Sequence, residues 1–205
     1  MVAIFSKLQH FIQAEKTVDA IELLLNRNSR PILQEPGPDQ QQEEIIFKAA
    51  LRAPDHGLLR PWKFLTVEGE ARDDLGRILL QVMTAESELS DKEQTKLLNA
   101  PLRAPLVIIA ITDYQEHPKV PKIEQVLSTG SAVQQMLLAA EALGFGGIWR
   151  TGPVSHLPAL KTALGLTERQ SIIGFLYIGT PAGSEKSLQP LETSDFFSPM
   201  TVKPV

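Results

Sequence analysis

With 205 residues, 43% of them hydrophobic and 21% charged, the chain has the length and composition of a single soluble globular domain. Its net charge of −4 and its dispersed Lys and Arg residues argue against nucleic-acid binding, and no apolar run is long enough to cross a membrane. Because there is no cysteine, disulfides and thiol chemistry are excluded, so any redox reaction requires a bound cofactor. The first residues lack the features of a signal peptide, which predicts a cytoplasmic protein.

The first part of the chain is predicted to be helical. Apolar residues between Ile4 and Ile12 recur at helical spacing and predict a short amphipathic helix, with packing or an interface as its expected role. A second helix is predicted to begin near Thr17 as N-cap, with Asp19 beside the positive end of the dipole, and to end before Pro31. Its predicted inward face consists of Val18, Ile21, Leu24 and Leu25.

Two further elements follow the Pro36-Gly37-Pro38 loop. Asp39 and Gln42 form a capping-box pattern that predicts a helix through Ala49, ending before Pro54. A short strand is predicted over Phe64–Val67.

The middle of the chain alternates helices and strands. Glu70–Asn99 predicts helices that form a solvated cover over the core, with a break near Leu89-Ser90-Asp91. The continuous apolar run Leu106–Ile111 predicts a central strand buried on both faces. A long helix is predicted from Ile123 to Leu143, apolar on most sides toward its C-terminal end and terminated by Gly144.

The last part predicts two strands, a short helix and a tail. The strands are Gly146–Trp149 and Ile172–Ile178, and the helix is Ser155–Leu164. The Pro- and Ser-rich tail after Gly179 carries Phe196 and Phe197 and is expected to lie along a protein surface. These elements together predict a mixed α/β sandwich with one sheet, and the pattern leaves strand direction open.

Two short segments combine arginines with turn-forming residues. In Asn26–Arg30, two guanidinium groups and the Ser29 hydroxyl form a candidate anion clamp, although a charged helix C-terminus accounts for this segment equally simply and is favoured on its own. In Arg52–Gly57, Pro54 ends the helix before a turn, and His56 either donates to a ligand oxygen or caps that helix.

A third segment, Gly144–Gly152, is rich in glycine. Trp149 occupies the third-glycine position of a dinucleotide fingerprint, and the lysine of a P-loop is missing, so neither motif is present. Gly146 and Gly147 permit close backbone approach, while Arg150 and Thr151 offer charge and a hydroxyl to a phosphate; a hairpin corner is the alternative. The histidines are too dispersed for a spaced metal motif, and no G-x-S-x-G elbow occurs.

These segments, taken in order, resemble the nitroreductase family in its short, single-domain branch. The matching elements cover roughly Val18 to Pro181. They are Leu24–Ser29, Arg52–His56, Pro61-Trp62, Asn99-Ala100-Pro101, Arg103-Ala104-Pro105, Gly144–Arg150 and Gly174–Pro181.

The resemblance implies an α+β fold with a central, mainly antiparallel sheet flanked by helices, and an intertwined homodimer with two FMN molecules at its interface. It implies one domain over residues 1–205, with an additional helix at 1–16 and an extended tail at 182–205. The implied activity is hydride transfer from NAD(P)H through FMN to an electron-poor acceptor such as a nitroaromatic or a quinone. The flavin N5 carries this chemistry, and the sequence identifies no catalytic side chain.

The resemblance also implies which residues bind FMN. Arg27, Asn28 and Ser29 match the segment at the phosphate and ring edge, and Trp149, Arg150 and Thr151 match the segment at the phosphate and ribityl chain. Arg52 and His56 match contacts supplied across the dimer interface, and Ala139–Gly144 matches a nicotinamide-nucleotide segment. Arg150 with Ser29 is expected to meet the phosphate, and Arg27 or Arg52 to lie near the flavin N1.

The chain departs from the family pattern at a few positions. Asn28 replaces a second arginine, Thr151 replaces a serine, and Gly57 and Arg60 replace lysine and glutamine before Pro61-Trp62. Two alternatives therefore stay open: a flavin-binding or sensing module without significant turnover, and a cofactor-free protein whose apolar helices serve dimerisation.

Overall fold

The computed structural model describes residues 18–184 and 187–201. Its helices are α1 (Ala20–Asn26), α2 (Gln40–Ala50), α3 (Ala71–Glu86), α4 (Asp91–Leu98), α5 (Lys122–Ala142) and α6 (Pro158–Ala163). Its strands are β1 (Leu33–Gln34), β2 (Trp62–Val67), β3 (Leu106–Asp113), β4 (Gly146–Arg150) and β5 (Gln170–Pro181).

The strands form one sheet in which every described pair is antiparallel. β3 lies between β2 and β5, and β5 also pairs with β4 and with the short β1. All eight residues of β3 are buried, as expected for a β-branched strand covered on both faces. The expected α+β fold with an antiparallel sheet is therefore confirmed.

Helices cover both faces of the sheet. On one face, α2 and α5 pack against alternate β3 residues such as Ile108 and Ala110, because successive strand residues point to opposite sides. On the other face, α3 and α6 pack against Val107, Ile109 and Ile111. The long helix α5 is consequently buried along much of its length, with Val133 and Met136 in the core.

Local sequence explains where several helices begin and end. The side chain of Asp39 accepts hydrogen bonds from the backbone at the start of α2, and Gln42 completes the capping box. Ser90 and Glu93 form a second capping box, which starts α4 and accounts for the predicted break after α3. After α5, Gly144 has a φ of 87°, a left-handed conformation that favours glycine.

The structure corrects some of the predicted elements. The N-cap of α1 is Asp19, not Thr17, since the Asp19 carboxylate accepts from the amides of Ile21 and Glu22. The predicted inward face of α1 is exposed in the single chain, because no other described element covers it: Val18, Ile21, Leu24 and Leu25 are all exposed.

Other predicted elements needed smaller changes. A short 3₁₀ turn over Pro153–His156 precedes α6, so the predicted helix from Ser155 is interrupted before Pro158. The two-residue strand β1 had no sequence prediction. The predicted helix between Ile4 and Ile12 lies outside the described residues.

In the described ranges, no helix combines the length and apolarity needed to span a membrane.

Candidate functional site

The fold brings the first and third candidate segments together beside β4. The backbone amide of Arg30 donates to the carbonyl oxygen of Gly147 at 3.0 Å. A Cβ added to Gly146 would lie 2.9 Å from both Cβ and Cγ of Arg30, closer than packed carbon atoms normally approach. Glycine at position 146 therefore leaves the space that Arg30 occupies where its segment, Asn26–Arg30, crosses β4.

A hollow of about 340 Å³ lies where these two segments meet. The charge of Arg27 and the hydroxyls of Ser29 and Thr151 form its polar wall, and its apolar wall includes Trp149 and Leu137. This volume is at the low end of the range for small-molecule sites. An anionic ligand with a planar ring is the chemistry that these two walls fit.

Trp149 occupies a fixed position in the apolar wall. Its indole Nε1 donates to the carbonyl oxygen of Ile173 at 3.2 Å. A Cβ added to Gly130 on α5 would lie 3.5 Å from the indole Cη2, so the ring spans from β5 to α5. These two contacts fix the orientation of the indole beside the hollow.

Gln134 is a wall residue that the sequence analysis did not identify. It lies on α5, where Gly130, Gln134 and Leu137 follow helical spacing and share the face toward the hollow. Of the two α5 residues that line the hollow, Gln134 is the polar one, and its side-chain amide offers both a donor and an acceptor. The glutamine pair Gln134-Gln135 inside the otherwise apolar stretch 132–140 was the available sequence signal.

Asn28 and Arg150, although predicted with these residues, do not line the hollow. Arg150 follows Trp149 in β4, so its side chain lies on the opposite face of the strand. There its guanidinium carbon lies 5.9 Å from the ring centre of Tyr177. Asn28 Oδ1 and Arg150 Nε are buried and have no hydrogen-bond partner in the described part of the chain.

The Tyr177 hydroxyl is buried near two arginines. Burial raises the pKa of Tyr177 above its ordinary value, and the charges of Arg103 and Arg150 oppose this shift. The phenol is therefore neutral at physiological pH.

Arg52 and His56 both lie outside this hollow. Arg52 is exposed after α2, and His56 lies in the following loop. The His56 ring contacts Ser128 on α5 at 3.2 Å and does not cap α2, so the capping interpretation is wrong. Ser128 and Gln134 are six residues apart, which places the His56 contact and the hollow about 9 Å apart along the axis of α5.

The loop that carries His56 has an unusual backbone. Gly57, Leu58 and Arg60 have positive φ angles of 71°, 55° and 50°. For Leu58 and Arg60 this conformation costs roughly 1–2 kcal/mol each. The amide of Arg60 donates to Asp55 Oδ2 at 2.8 Å, which holds the loop closed. Such strain is concentrated at functional sites.

An exposed apolar surface adjoins both the hollow and the His56 loop. Leu25 on α1 is 72% exposed, Ile123 and Leu127 on α5 are exposed, and Leu58 in the His56 loop is 77% exposed. Large exposed apolar side chains that lie together are typical of protein–protein interfaces.

Comparison with known proteins assigns this chain to one class of protein. A model of the nitroreductase family matches residues 27–180, so the chain belongs to the nitroreductase family. The chain is 46% identical over 164 residues to "Putative NAD(P)H nitroreductase YdjA" from Escherichia coli, an alignment covering 80% of this chain and 89% of YdjA. It is 38% identical over 181 residues to a "Putative NAD(P)H nitroreductase" from Haemophilus influenzae, covering 87% of this chain and 98% of that protein.

Solved structures share the fold. A nitroreductase-like family protein from Bacillus cereus has a TM-score of 0.77 at 21% identity, covering 91% of this chain and 99% of that chain. A nitroreductase from Desulfovibrio desulfuricans, solved in complex with FMN, has a TM-score of 0.67 at 23% identity, covering 91% of this chain and all of that chain. The resemblance inferred from the sequence motifs is thus confirmed.

Proposed function

We propose that this chain is an FMN-dependent oxidoreductase that moves hydride from NAD(P)H, through the flavin, to an electron-poor acceptor such as a nitroaromatic or a quinone. Membership of the nitroreductase family supports the reaction class. The relatives named NAD(P)H nitroreductases support the electron donor. The observation that carries the proposal for this chain is the hollow between the Arg27 segment and β4.

The residues of the hollow fit FMN. Arg27, Ser29 and Thr151 provide the charge and hydroxyl groups that bind a phosphate. Trp149 and Leu137 provide an apolar wall for a planar ring system. Asn28 Oδ1 and Arg150 Nε, which have no hydrogen-bond partner among the described residues, lie in the same two segments but outside the hollow, so they are not part of this fit.

The proposed roles of these residues are binding and orientation. Arg27 neutralises the phosphate, while Gln134 and Ser29 supply directional hydrogen bonds to the polar edges of the ligand. The indole of Trp149 excludes water from one side of the site. No side chain of the hollow is a carboxylic acid or a histidine, so a proton for the acceptor comes from solvent in this proposal.

We further propose that the site is completed in a homodimer. A two-fold interface is isologous, so whatever one subunit contributes to its partner's site it also receives. Arg52 and His56 lie outside the hollow of their own chain and are the residues that the family resemblance assigns to the partner's flavin. The exposed apolar side chains of α1 and α5 provide the surface that such a dimer would bury.

The test is the absorbance spectrum of protein that has been supplemented with FMN and then desalted. Retained flavin absorbance that bleaches on anaerobic addition of NADH or NADPH is the expected result, and reoxidation by a nitroaromatic or a quinone then tests the acceptor class. Retained flavin that neither nucleotide bleaches would favour a binding module without turnover. Protein that retains no flavin would contradict the proposal.

A further inference from the structure

Ser128 joins helix α5 to the loop that carries His56. Its hydroxyl oxygen lies 3.3 Å from the backbone nitrogen of His56 and 3.2 Å from the ring nitrogen Nδ1 of the same residue. It also lies 3.0 Å from the carbonyl oxygen of Glu124, one turn earlier in α5. Ser128 is buried, whereas His56 is exposed, so the contact anchors an exposed ring to the interior.

The directions of the hydrogen bonds at this hydroxyl indicate which ring nitrogen of His56 carries the proton. A serine hydroxyl has one proton to donate and two lone pairs that accept. The carbonyl oxygen of Glu124 can only accept, so the serine proton points to it. The backbone N–H of His56 can only donate, so it occupies one lone pair. The second lone pair is left for Nδ1, and Nδ1 forms a hydrogen bond to it only when Nδ1 carries a proton.

We propose that Ser128 is a positioning residue that holds neutral His56 with its proton on Nδ1 and its Nε2 lone pair free for a ligand. Within residues 18–184 and 187–201, Nε2 has no hydrogen-bond partner. A neutral imidazole fixed in this way accepts a hydrogen bond through Nε2 and cannot donate one. This proposal differs from the expectation that His56 donates to a ligand oxygen, and the tautomer measured below distinguishes the two.

The position of Ser128 is itself fixed by neighbouring contacts. The next residue, Thr129, donates to the carbonyl oxygen of Gln125 and accepts from the hydroxyl of Thr112 on β3 at 3.0 Å. Gln125 donates to the carbonyl oxygen of Gln115 and accepts from its amide, each at 2.9 Å. These buried bonds hold this turn of α5 against the end of the sheet, and so hold the imidazole.

The ligand chemistry that follows rests on the proposed function. Flavin phosphate and carbonyl oxygens are hydrogen-bond acceptors, whereas the ribityl hydroxyls and the ring N3–H are donors. His56 with a free Nε2 lone pair therefore serves a donor group of FMN in the partner's hollow. The phosphate is left to Arg27 and its neighbours.

The test measures the histidine tautomer directly, in protein without flavin. The protein is labelled with ¹⁵N-histidine, and long-range ¹H–¹⁵N correlation spectra are recorded at a pH of about 9, where histidine side chains are neutral. The His56 signal is assigned by its loss in His56→Gln. Ser128→Ala removes the proposed partner of Nδ1. Ser131→Ala is the matched control, because Ser131 makes the same bond to the carbonyl oxygen one turn earlier, at 2.9 Å, without contacting His56.

The expected result is an Nδ1–H tautomer in the wild type and in Ser131→Ala, and a shift toward Nε2–H in Ser128→Ala. A wild-type protein with the Nε2–H tautomer would overturn the proposal, whether or not any variant folds. An unchanged tautomer in Ser128→Ala would overturn it as well.

Flavin affinity then tests the ligand role separately. One neutral hydrogen bond corresponds to a change of about threefold to tenfold in the dissociation constant of FMN. We expect Ser128→Ala to weaken FMN binding by this factor, Ser131→Ala to leave it unchanged, and His56→Gln, which keeps an acceptor, to retain most of it. An Nδ1–H tautomer in a protein that binds no FMN would contradict the proposed function and leave the role of Ser128 intact. Weakened binding in Ser131→Ala alone would overturn the role of Ser128.

Discussion

The indole Nε1 of Trp149 lies directly against the α-carbon of Gly174 on the neighbouring strand. A Cβ added at residue 174 would overlap Nε1 and would lie 2.8 Å from the indole Cδ1. Gly174 also has a φ of 148°, which L side chains rarely adopt. The absence of a side chain at 174 therefore creates the slot that orients the Trp149 ring along the hollow.

Gly174→Ala is expected to displace the indole and lower stability. Overpacking of this kind costs roughly 1–3 kcal/mol in addition to the backbone strain. Gly165→Ala is the matched control, because Gly165 has a φ of 67° and an added Cβ there meets nothing within 4 Å. The control should therefore show the strain alone, about 1–2 kcal/mol.

Urea unfolding and FMN titration measure these two effects. Gly174→Ala should unfold at lower urea than Gly165→Ala, and only Gly174→Ala should bind FMN more weakly. Equal losses of stability in the two variants, with FMN binding unchanged, would show that the slot does not position Trp149.

Arg27→Ala is expected to weaken FMN binding strongly. A hydrogen bond to a charged group contributes about 1.5–3 kcal/mol, which corresponds to roughly a tenfold to hundredfold change in the dissociation constant. Arg150→Ala should weaken binding less, because the Arg150 side chain lies on the other face of β4, beside Tyr177, and does not line the hollow.

Fluorescence titration of the two variants with FMN gives both constants. Ser29→Ala, which removes a neutral hydroxyl from the same wall, serves as a reference for the smaller effect. A greater loss of FMN affinity in Arg150→Ala than in Arg27→Ala would show that the phosphate binds outside the hollow.

Mixed dimers test the assignment of Arg52 to the partner's site. Dimers containing one Arg27→Ala subunit and one Arg52→Ala subunit should recover one high-affinity FMN site, although each variant alone has none. If Arg52 serves the other subunit, both defects fall in one site and the second site is intact. Equilibrium binding to tagged and separated mixed dimers should then give a stoichiometry of one tight FMN per dimer. Two weakened sites per mixed dimer would show that Arg52 acts within its own subunit.

Glu43 should make the protein less stable as the pH rises. Partial burial and the neighbouring Glu68 carboxylate raise the pKa of Glu43 from 4.5 to about 7. Between these two values the unfolded chain releases the proton and the folded protein keeps it, so stability falls across this window. This loss of stability is complete above about pH 7 and absent below about pH 4.5.

Glu43→Gln, which resembles the protonated carboxyl, should therefore raise the melting temperature at pH 8 and leave it unchanged at pH 4. Solvent screening keeps the gain below about 1 kcal/mol, or less than about 4 °C. Glu44→Gln is the control, since Glu44 pairs with Lys48 at the surface. An equal shift at pH 4 and pH 8 would contradict a titrating Glu43.

Some elements were predictable because their causes are local. The capping box of Asp39 and Gln42 and the continuous apolar run of β3 were correct from sequence alone. The prediction that the apolar face of α1 points inward was wrong, because its burial depends on contacts with other parts of the molecule. Helical periodicity identifies an apolar face without specifying what covers it, and no described element of the same chain covers Leu25.

The candidate site divides in the same way. The motifs and the family resemblance indicated Arg27, Ser29, Trp149 and Thr151, and these four residues line one hollow in the structure. Gln134 was missed because a pair of glutamines in an apolar stretch of helix has no local pattern that indicates a site. Arg150 was grouped with Trp149 by sequence proximity, but adjacent residues in a strand point to opposite faces.

The sequence by itself determined the family, the order of the elements and the need for a cofactor, because motif order, periodicity and the absence of cysteine depend on residues close together in the chain or on composition. Only the tertiary structure decided which side chains meet. The contact of Ser128 with His56 and the fit of Trp149 against Gly174 join residues that are distant in the chain. Such contacts depend on strand register and helix packing, which three-dimensional burial sets and local sequence does not encode.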